Sequence, residues 1–418
     1  MPMTIAEKIL AKAAGRKQVV PGEIVEARVD VAVAHDLTAP LAIEVLEQMG
    51  TKRVWDPSRV VIVLDHQAPP TTIEMAEDHA MLREFVAENK ILNFYDVHEG
   101  ICHEVLPEGG FALPGRLVVG ADSHTCTYGA LGCFATGVGS TDMAAVFATG
   151  KLWFKVPESI LFEIQGELKD RVAPKDIILR IIGDVTADGA TYRAVEFTGE
   201  GIRDISVAGR MTMCNMGVEM GAKTAIVPPD ELIRQYLKGR AKERYDEMYS
   251  DSDAEYADER TYDVSNLEPQ VACPHRVDNV RSVREVEGIE VDQAFLGSCT
   301  NGRLEDLVEA AKILKGKKVA KGVRMIVSPA SREVQMDALK AGVLQTLVEA
   351  GAIVESPSCA ACMGCHLGVL GPGEVSISSS NRNFKGRQGS PGGEVYLASP
   401  ATVSASALKG RITDPRDV

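Results

Sequence analysis

Three cysteines stand close together in the segment SPSCAACMGCHLG near the C-terminal end of the chain. Cys359, Cys362 and Cys365 follow a C-x-x-C spacing, which suits thiolates that share one metal centre. A haem-attachment site at CMGCH is disfavoured because no export signal precedes the chain. A closed zinc site is awkward because His366 is adjacent to Cys365. On spacing alone, an iron–sulfur cluster with Cys359, Cys362 and Cys365 as ligands competes with plain structural thiols.

Polar and reactive residues also follow three short apolar runs. They are Asp65-His66 after VVIVL, Asp122-Ser123-His124 after LVVGA, and Ser298-Cys299-Thr300-Asn301 after QAFLG. In open α/β sheets, ligands bind beyond the carboxyl ends of the strands, so three such ends can converge on one crevice. Each end taken alone also fits a helix-capping residue beside a structural histidine. Their recurrence in one chain favours a shared site.

Two arginines occur on a polar, glycine-bearing segment, SSSNRNFKGRQGSP. The guanidinium groups of Arg382 and Arg387 could each bind a carboxylate through two parallel hydrogen bonds. Next to a metal site, such a pair suggests a dicarboxylate or tricarboxylate substrate. Ordinary surface arginines are the alternative.

The elements around these residues alternate between strand and helix patterns. The segment RVVIVLDH (59–66) predicts a buried strand, TTIEMAEDHAMLREFVAENK (71–90) a helix, and RLVVGADSH (116–124) a second strand. This alternation is typical of parallel βαβ units with helices on both faces of a sheet. From Gly129 the chain is rich in glycine, which predicts backbone packed closely against a site or a neighbouring helix.

The rest of the chain continues the α/β pattern. SILFEIQGEL predicts a strand, PKDIILRIIGDV a helix that begins at proline, EDLVEAAKILKG a helix and VRMIVSP a strand. The charged stretch 239–262 predicts a solvated surface helix or loop. With 418 residues the chain has room for three domains. We place them at 1–156, 157–288 and 289–418.

Composition excludes several classes of protein. The chain has 59 acidic and 45 basic residues, a formal net charge of −14, which disfavours nucleic acid and anionic membranes as partners. The longest apolar runs fall far short of the roughly 20 residues that a membrane helix needs. The N-terminal segment MPMTIAEKILAKAAGRK lacks the features of a signal peptide. Nine cysteines are too few for a secreted disulfide scaffold. We therefore expect a cytoplasmic protein.

Five motifs together resemble the aconitase superfamily. They are DSHTCTYGALG, RMTMCNMGVE, FLGSCTNGRLEDL, CAACMG and SNRNFKGR, in this order along the chain. Within the superfamily, they are most similar to the compact large subunits of 3-isopropylmalate dehydratases and homoaconitases. The resemblance covers essentially the whole chain. It implies three α/β/α sandwich domains around a 4Fe-4S cluster.

The resemblance implies a different set of cluster ligands from the one that spacing selects. By match to the family's motifs, Cys299, Cys359 and Cys362 hold the cluster, and Cys365 is not included. One iron then has no protein ligand. That iron can act as a Lewis acid that binds the substrate's hydroxyl and a carboxylate.

The resemblance also implies roles for the polar residues. In the family's Asp-His pair, here Asp65 and His66, the carboxylate orients the imidazole that serves the substrate hydroxyl. The other transferred residues are catalytic His103, Asp122 and His124; substrate-binding His35, Ser123, Arg382 and Arg387; and cluster-lining Asn215, Glu219, Asn381 and Asn383.

Full-length aconitases continue into a fourth, swivelling domain that supplies the serine base and further arginines. This sequence stops at Val418, soon after the third domain. The resemblance therefore implies a separate small subunit that carries the swivelling domain, in a heterodimer or a dimer of heterodimers. The implied activity is a hydro-lyase of leucine biosynthesis that interconverts 2-isopropylmalate and 3-isopropylmalate.

Three alternatives remain beside this expectation. The first is homoaconitase, or a dehydratase of another substituted malate such as citramalate or dimethylmalate. The second is an RNA-binding regulator, which the acidic balance disfavours. The third is an electron-transfer protein, disfavoured because histidines and arginines surround the cluster motifs and no second cysteine quartet exists.

Overall fold

The computed structural model describes all residues from 1 to 418. Eighteen strands occur along the chain. They are β1 (Ile24–Arg28), β2 (Val31–His35), β3 (Val60–Val63), β4 (Asn93–Tyr95), β5 (Leu117–Gly120), β6 (Phe134–Gly137), β7 (Lys151–Lys155), β8 (Ser159–Gln165), β9 (Ala194–Thr198), β10 (Thr224–Ile226), β11 (Asp258–Asp263), β12 (Gln270–Ala272), β13 (Val280–Ser282), β14 (Gln293–Leu296), β15 (Arg324–Val327), β16 (Ile353–Val354), β17 (Val375–Ser378) and β18 (Glu394–Ala398).

Fifteen α-helices connect the strands. They are α1 (Ile5–Ala13), α2 (Ala39–Gln48), α3 (Ile73–Asn89), α4 (Cys102–Glu108), α5 (Ser140–Thr149), α6 (Pro174–Val185), α7 (Glu200–Arg203), α8 (Val207–Asn215), α9 (Glu231–Leu237), α10 (Val283–Val286), α11 (Ser298–Asn301), α12 (Leu304–Leu314), α13 (Arg332–Lys340), α14 (Val343–Ala350) and α15 (Pro400–Lys409). Four 3₁₀ helices lie at Ser123–Leu131, Met216–Met220, Ala360–Met363 and Pro415–Asp417.

The first sheet has five parallel strands in the order β4-β3-β2-β5-β6. Its central strands are fully buried and rich in valine, as expected for a parallel sheet covered on both faces. The predicted strands at 59–66 and 116–124 correspond to β3 and β5, and both end before the polar residues that follow them. The predicted helix at 71–90 is α3, in which the Thr72 side chain accepts a hydrogen bond from the Met75 amide.

The second sheet, β10-β9-β8-β11, is also parallel. SILFEIQ forms β8, and PKDIILRIIGDV forms α6, which begins at Pro174 and buries its isoleucines. The charged stretch 239–262 contains no helix. It runs as an extended loop, and its last residues enter the edge strand β11, whose side chains are mostly exposed or half-buried.

The third sheet has seven strands in the order β13-β12-β18-β17-β14-β15-β16. EDLVEAAKIL lies in α12 and RMIV forms β15, as predicted. Strands β1 and β7 form a separate two-stranded antiparallel sheet. The strands of the three larger sheets fall within 31–137, 159–263 and 270–398, and β12 and β13 belong to the third sheet. The division into three domains at residues 156 and 288 stays a prediction.

None of the helices combines the length and the apolar character needed to cross a membrane. The longest, α3, has 17 residues and a charged surface.

The glycine-rich segment packs against a strand. A Cβ atom at Gly129 would stand 1.7 Å from the carbonyl oxygen of Ala225 in β10. The Gly129 carbonyl also accepts a hydrogen bond of 3.0 Å from the Val227 amide. The predicted close approach is therefore present, and its partner is a strand of the second sheet.

We expect Gly129→Ala to lower the free energy of unfolding by about 1–3 kcal/mol, because the added methyl group overlaps a backbone carbonyl that cannot move freely. The matched control is Gly371→Ala, where the nearest atom lies 3.5 Å away at the end of a flexible glutamate. It should change stability by less than about 0.5 kcal/mol. Denaturant unfolding of both variants is the measurement, and equal effects would contradict this account.

Candidate active site

Three neighbouring strands of the first sheet end at the same edge. β2 lies between β3 and β5 and pairs with both in parallel, so the carboxyl ends of all three strands meet. Strands β3 and β4 lie on one side of β2, and strands β5 and β6, which come later in the chain, lie on the other side. This reversal of strand order opens a crevice beyond the strand ends, where α/β proteins bind ligands.

Asp65 and His66 follow β3 and form a buried pair. The His66 Nδ1 atom lies 2.6 Å from Asp65 Oδ1, and Asp65 Oδ2 accepts a hydrogen bond of 2.6 Å from the Cys102 amide. Burial disfavours a charged His66, but Asp65 and other anionic neighbours outweigh it and raise the pKa of His66 well above its usual value. The pair therefore holds a protonated imidazole in one orientation.

Asp122, which follows β5, contacts several imidazoles. Its Oδ1 atom lies 2.8 Å from His103 Nε2, and its Oδ2 atom lies 3.4 Å from His35 Nε2 and 3.5 Å from His66 Nε2. The rings of His35 and His66 stack with their centroids 3.8 Å apart. Although burial opposes ionisation, these contacts hold the pKa of Asp122 well below its usual range.

A 3₁₀ helix, Ser123–Leu131, begins beside Asp122 and places His124. His124 Nε2 lies 2.8 Å from Glu219 Oε1, and the same oxygen accepts a hydrogen bond of 2.8 Å from Arg382 Nε. Arg382 also donates to the Ser123 hydroxyl at 3.0 Å. These contacts fix the guanidinium at the crevice, and its side chain is still 20% exposed. It is thus held ready for an anionic ligand.

Three predicted ligand cysteines lie together below this crevice. Cys299 is in α11 after β14, Cys359 directly precedes the 3₁₀ turn Ala360–Met363, and Cys362 lies within that turn. All three are buried and form no disulfide. Burial raises the pKa of Cys299 well above its usual value, and the neighbouring sulfurs of Cys359 and Cys362 raise it further. Burial likewise raises the pKa of Cys359 to about 12.

Amide groups point at these sulfurs. Asn215 Nδ2 lies 3.2 Å from Cys299 Sγ, and Asn381 Nδ2 lies 3.7 Å from the same sulfur. Arg387 donates to Cys362 Sγ at 3.8 Å, while its Nε atom is buried with no partner. Hydrogen-bond donors around buried sulfur are the surroundings that a thiolate requires.

The backbone beside the cysteines is strained. Ser298, just before Cys299, has a φ of 66°, and Ala360, just after Cys359, has a φ of 45°. Residues with side chains adopt this left-handed region at a cost and tend to do so at functional sites. The strained backbone at Ser298 and Ala360 therefore costs folding free energy and sets the positions of the neighbouring thiols.

The donor set fits an iron–sulfur cluster better than a single ion. A single zinc would hold two sulfurs about 3.8 Å apart, since each Zn–S bond is about 2.3 Å. The three sulfurs do not form a group within 4.8 Å of one another. Such wider spacing suits a cluster held by separate thiolates, and the amide and guanidinium donors would stabilise its negative sulfurs.

A second group of donor atoms does lie within 4.8 Å: His35, Asp36, Asp65 and His66. The two carboxylates of this group already accept hydrogen bonds from backbone amides. We therefore interpret the group as acid–base machinery and not as a metal site.

The structure does not bring every predicted residue to the thiols. The Asn383 amide turns away and donates to the backbone carbonyls of Cys273 (2.7 Å) and Ala272 (3.3 Å). Cys365 is half-buried and forms no hydrogen bond to the thiols of Cys299, Cys359 and Cys362. Asn383 therefore supports the arginine-bearing loop instead of lining the thiols.

Two further residues belong to the site, although the sequence analysis did not select them. Asp36 is fully buried and accepts hydrogen bonds from the amides of His66 (3.0 Å) and Gln67 (2.7 Å). The Tyr128 hydroxyl lies 3.1 Å from His103 Nδ1. The His35-Asp36 step after an apolar run repeats the pattern of Asp65-His66, so Asp36 had a detectable signal. Tyr128 had none, because only the fold brings it to His103.

Comparisons with known proteins agree with this architecture. The family profile described as Aconitase family (aconitate hydratase) matches residues 7–410. A chain of Methanothermobacter thermautotrophicus named "Probable 3-isopropylmalate dehydratase large subunit" is 58% identical over 99% of both chains. In Methanosarcina mazei, a "Probable methanogen homoaconitase large subunit" is 59% identical over 94% of this chain and 100% of its own.

Among solved structures, the holo form of Thermococcus kodakaraensis aconitase X is similar in fold. The TM-score is 0.51 over 90% of this chain and 88% of that chain, at 14% identity. At this identity the likeness concerns the fold alone.

Asp65→Asn should lower the pKa of His66 in the metal-free protein, because the nearest carboxylate loses its charge. In the wild type that pKa is raised above the usual 6.5. The stabilisation is then fully present below about pH 6.5 and is lost as the pH rises through the folded-state pKa. In the variant, the stabilisation should be smaller, and its loss should be complete at a lower pH.

The measurement is the imidazole nitrogen chemical shift of His66 against pH. Asp56→Asn is the matched control, since the Asp56 carboxylate accepts its hydrogen bonds from Ser58, within the same surface turn. A His66 titration that is the same in Asp65→Asn as in the wild type would show that Asp65 does not hold the proton.

Proposed function

This chain belongs to the aconitase family, and from that premise we propose that it is the large, catalytic subunit of a 3-isopropylmalate dehydratase. It would interconvert 2-isopropylmalate and 3-isopropylmalate by removing and re-adding water, a step of leucine biosynthesis. The observation that carries the proposal is its full-length likeness to chains named for that activity. The acid–base and arginine geometry supports it.

We propose that Cys299, Cys359 and Cys362 hold a 4Fe-4S cluster. When bound, the cluster would supply a Lewis-acidic iron that weakens the bond to the substrate hydroxyl. The amides of Asn215 and Asn381 stand where they would donate to the ligand sulfur of Cys299. Because burial keeps the free thiols protonated, binding of the cluster must release their protons.

The Asp65–His66 pair would serve the departing hydroxyl. His66 carries a proton at neutral pH and is oriented by a short contact to Asp65, as a general acid requires. In the reverse reaction the same imidazole would accept a proton from the incoming water. Asp122 would hold the imidazoles of His66 and His103 in position from the other side.

Arg382 would bind a substrate carboxylate. Its Nε and one terminal nitrogen are held by Glu219 and Ser123, so the guanidinium plane is fixed while its remaining N–H groups can still donate. A fixed planar fork suits the two oxygens of a carboxylate. The substrate would therefore be oriented before the chemical step.

We propose that a small subunit completes the site, as the large-subunit names of the relatives suggest. Leu367, Val369 and Phe384, on the segments that carry the cysteines and arginines, are 45%, 50% and 46% exposed. Apolar side chains exposed around a polar crevice suit a second protein chain. The small subunit would supply the proton-abstracting base and exclude water.

A homoaconitase is the second candidate, because the relative from Methanosarcina mazei that carries that name is as similar as the dehydratases. The two reactions need the same acid, arginine and cluster. They differ in the substituent that the substrate carries beside its malate core. A substrate assay separates them.

Anaerobic reconstitution should load about four irons per chain. Cys299→Ser, Cys359→Ser and Cys362→Ser should each abolish the iron–sulfur absorption, because an alcohol replaces a thiolate ligand. The matched control is Cys365→Ser, which should load normally. Iron loss in Cys365→Ser combined with retention in Cys299→Ser would overturn the ligand assignment.

The reconstituted chain should be inactive alone and should turn over 2-isopropylmalate once its cognate small subunit is added. Homocitrate and citramalate should react far more slowly. His66→Asn should keep its iron and lower kcat by about 10²–10⁴-fold, because the acid is lost. Preference for homocitrate would instead favour the homoaconitase, and full turnover without a second chain would refute the partnership.

A further inference from the structure

Lys175 is the second residue of helix α6, and its side chain is completely buried. Both features oppose a positive charge. Burial removes the ammonium from water, and the N-terminal end of a helix repels cations. Its nitrogen forms no ion pair with any carboxylate. Burial therefore favours the neutral amine, and a charged Lys175 needs a negative group nearby.

The direct partners of Lys175 are two backbone carbonyls. Its nitrogen donates to the oxygen of Ser379 at 2.9 Å and to that of Ser380 at 2.6 Å. These residues immediately precede Asn381, whose amide lies beside the sulfurs of Cys299 and Cys362. Lys175 thus reaches from the second sheet's helix layer to the loop that borders the thiols and carries Arg382.

Burial has the largest effect on Lys175 and lowers its pKa to about 7. Two carboxyls and two thiols act against burial and favour the charged form: Asp306, Cys362, Asp176 and Cys299, in order of effect. Burial raises the pKa of Asp306 and of Asp176 to about 7, so each carboxyl is only partly ionised near neutral pH. The thiols carry full negative charge only when they bind metal. The strongest countercharge thus becomes available when the cluster is present.

We propose that Lys175 is the buried countercharge of the thiolate-held cluster and the anchor of the loop that carries Asn381 and Arg382. This role rests on the proposed cluster. In the metal-free protein, the buried amine is only partly protonated near neutral pH, and its charged form destabilises the fold. In the loaded protein, the same ammonium would stabilise the negative charge of the cluster.

Two substitutions separate charge from anchoring. Lys175→Met removes the charge and the hydrogen bonds, whereas Lys175→Gln removes the charge and keeps an amide that can donate to the same carbonyls. Lys223→Met is the matched control. Lys223 is also a largely buried lysine that donates to a backbone carbonyl, that of Gly137 at 3.3 Å, and no cysteine acts on it.

We expect metal-free Lys175→Met to unfold at a temperature equal to or above that of the wild type, because it loses an unpaired buried charge. The loaded protein should change in the opposite sense. Both Lys175 variants should lose iron to a chelator about 10- to 100-fold faster than the wild type. Their cluster reduction potentials should also become more negative. Lys223→Met should change neither property.

The anchoring role has its own measurement in the complete enzyme. Lys175→Met should raise the KM for substrate because the Arg382 loop is loosened, while Lys175→Gln should leave the KM close to that of the wild type.

Metal-free Lys175 variants that fail to fold, or loaded variants with wild-type iron retention and potential, would overturn the proposal. A wild-type chain that takes up no cluster would refute the proposed cofactor itself. Normal loading of the wild type beside unaffected Lys175 variants would refute only the role of Lys175.

Discussion

The carboxylate of Asp122 is the contact on which the arrangement of the site's imidazoles depends. Its oxygens lie close to ring nitrogens of His35, His66 and His103, and it accepts a hydrogen bond from the backbone amide of His124. Burial alone would favour its neutral form, yet the surrounding donors keep it ionised. One negative charge therefore contacts three imidazoles and contributes to the orientation of each ring.

The surroundings of the thiols likewise depend on one polar side chain, that of Asn215. Asn215 donates to Cys299 and to Thr127, and its oxygen accepts from Thr300 and Asn381. A single amide of the second sheet's helix layer thus ties the first and third parts of the chain together at the sulfurs. Fully satisfied buried networks of this kind rigidify a site and are costly to break.

Local sequence patterns predicted much of this molecule. Valine-rich runs gave the buried strands β3 and β5, and the polar residues after them lie in the crevice as expected. Side-chain direction was not predictable in the same way. Asn383 turns to a carbonyl-lined turn because Cys273 and Ala272 offer acceptors there, and nothing in NRNFKGR records those distant partners. Tyr128 was missed for the same reason, since tertiary packing gives it its partner. Asp36 differs, because its position after the apolar run that ends at His35 was a signal in the sequence.

One backbone hydrogen bond joins the loop that carries Cys359 to the turn that carries Asp65 and His66. The amide of Cys359 donates to the carbonyl of Asp65 at 2.9 Å, so the loop rests on that turn. Because both groups belong to the backbone, the contact does not depend on the side chains at positions 65 and 359, and a displacement of either segment would be passed to the other.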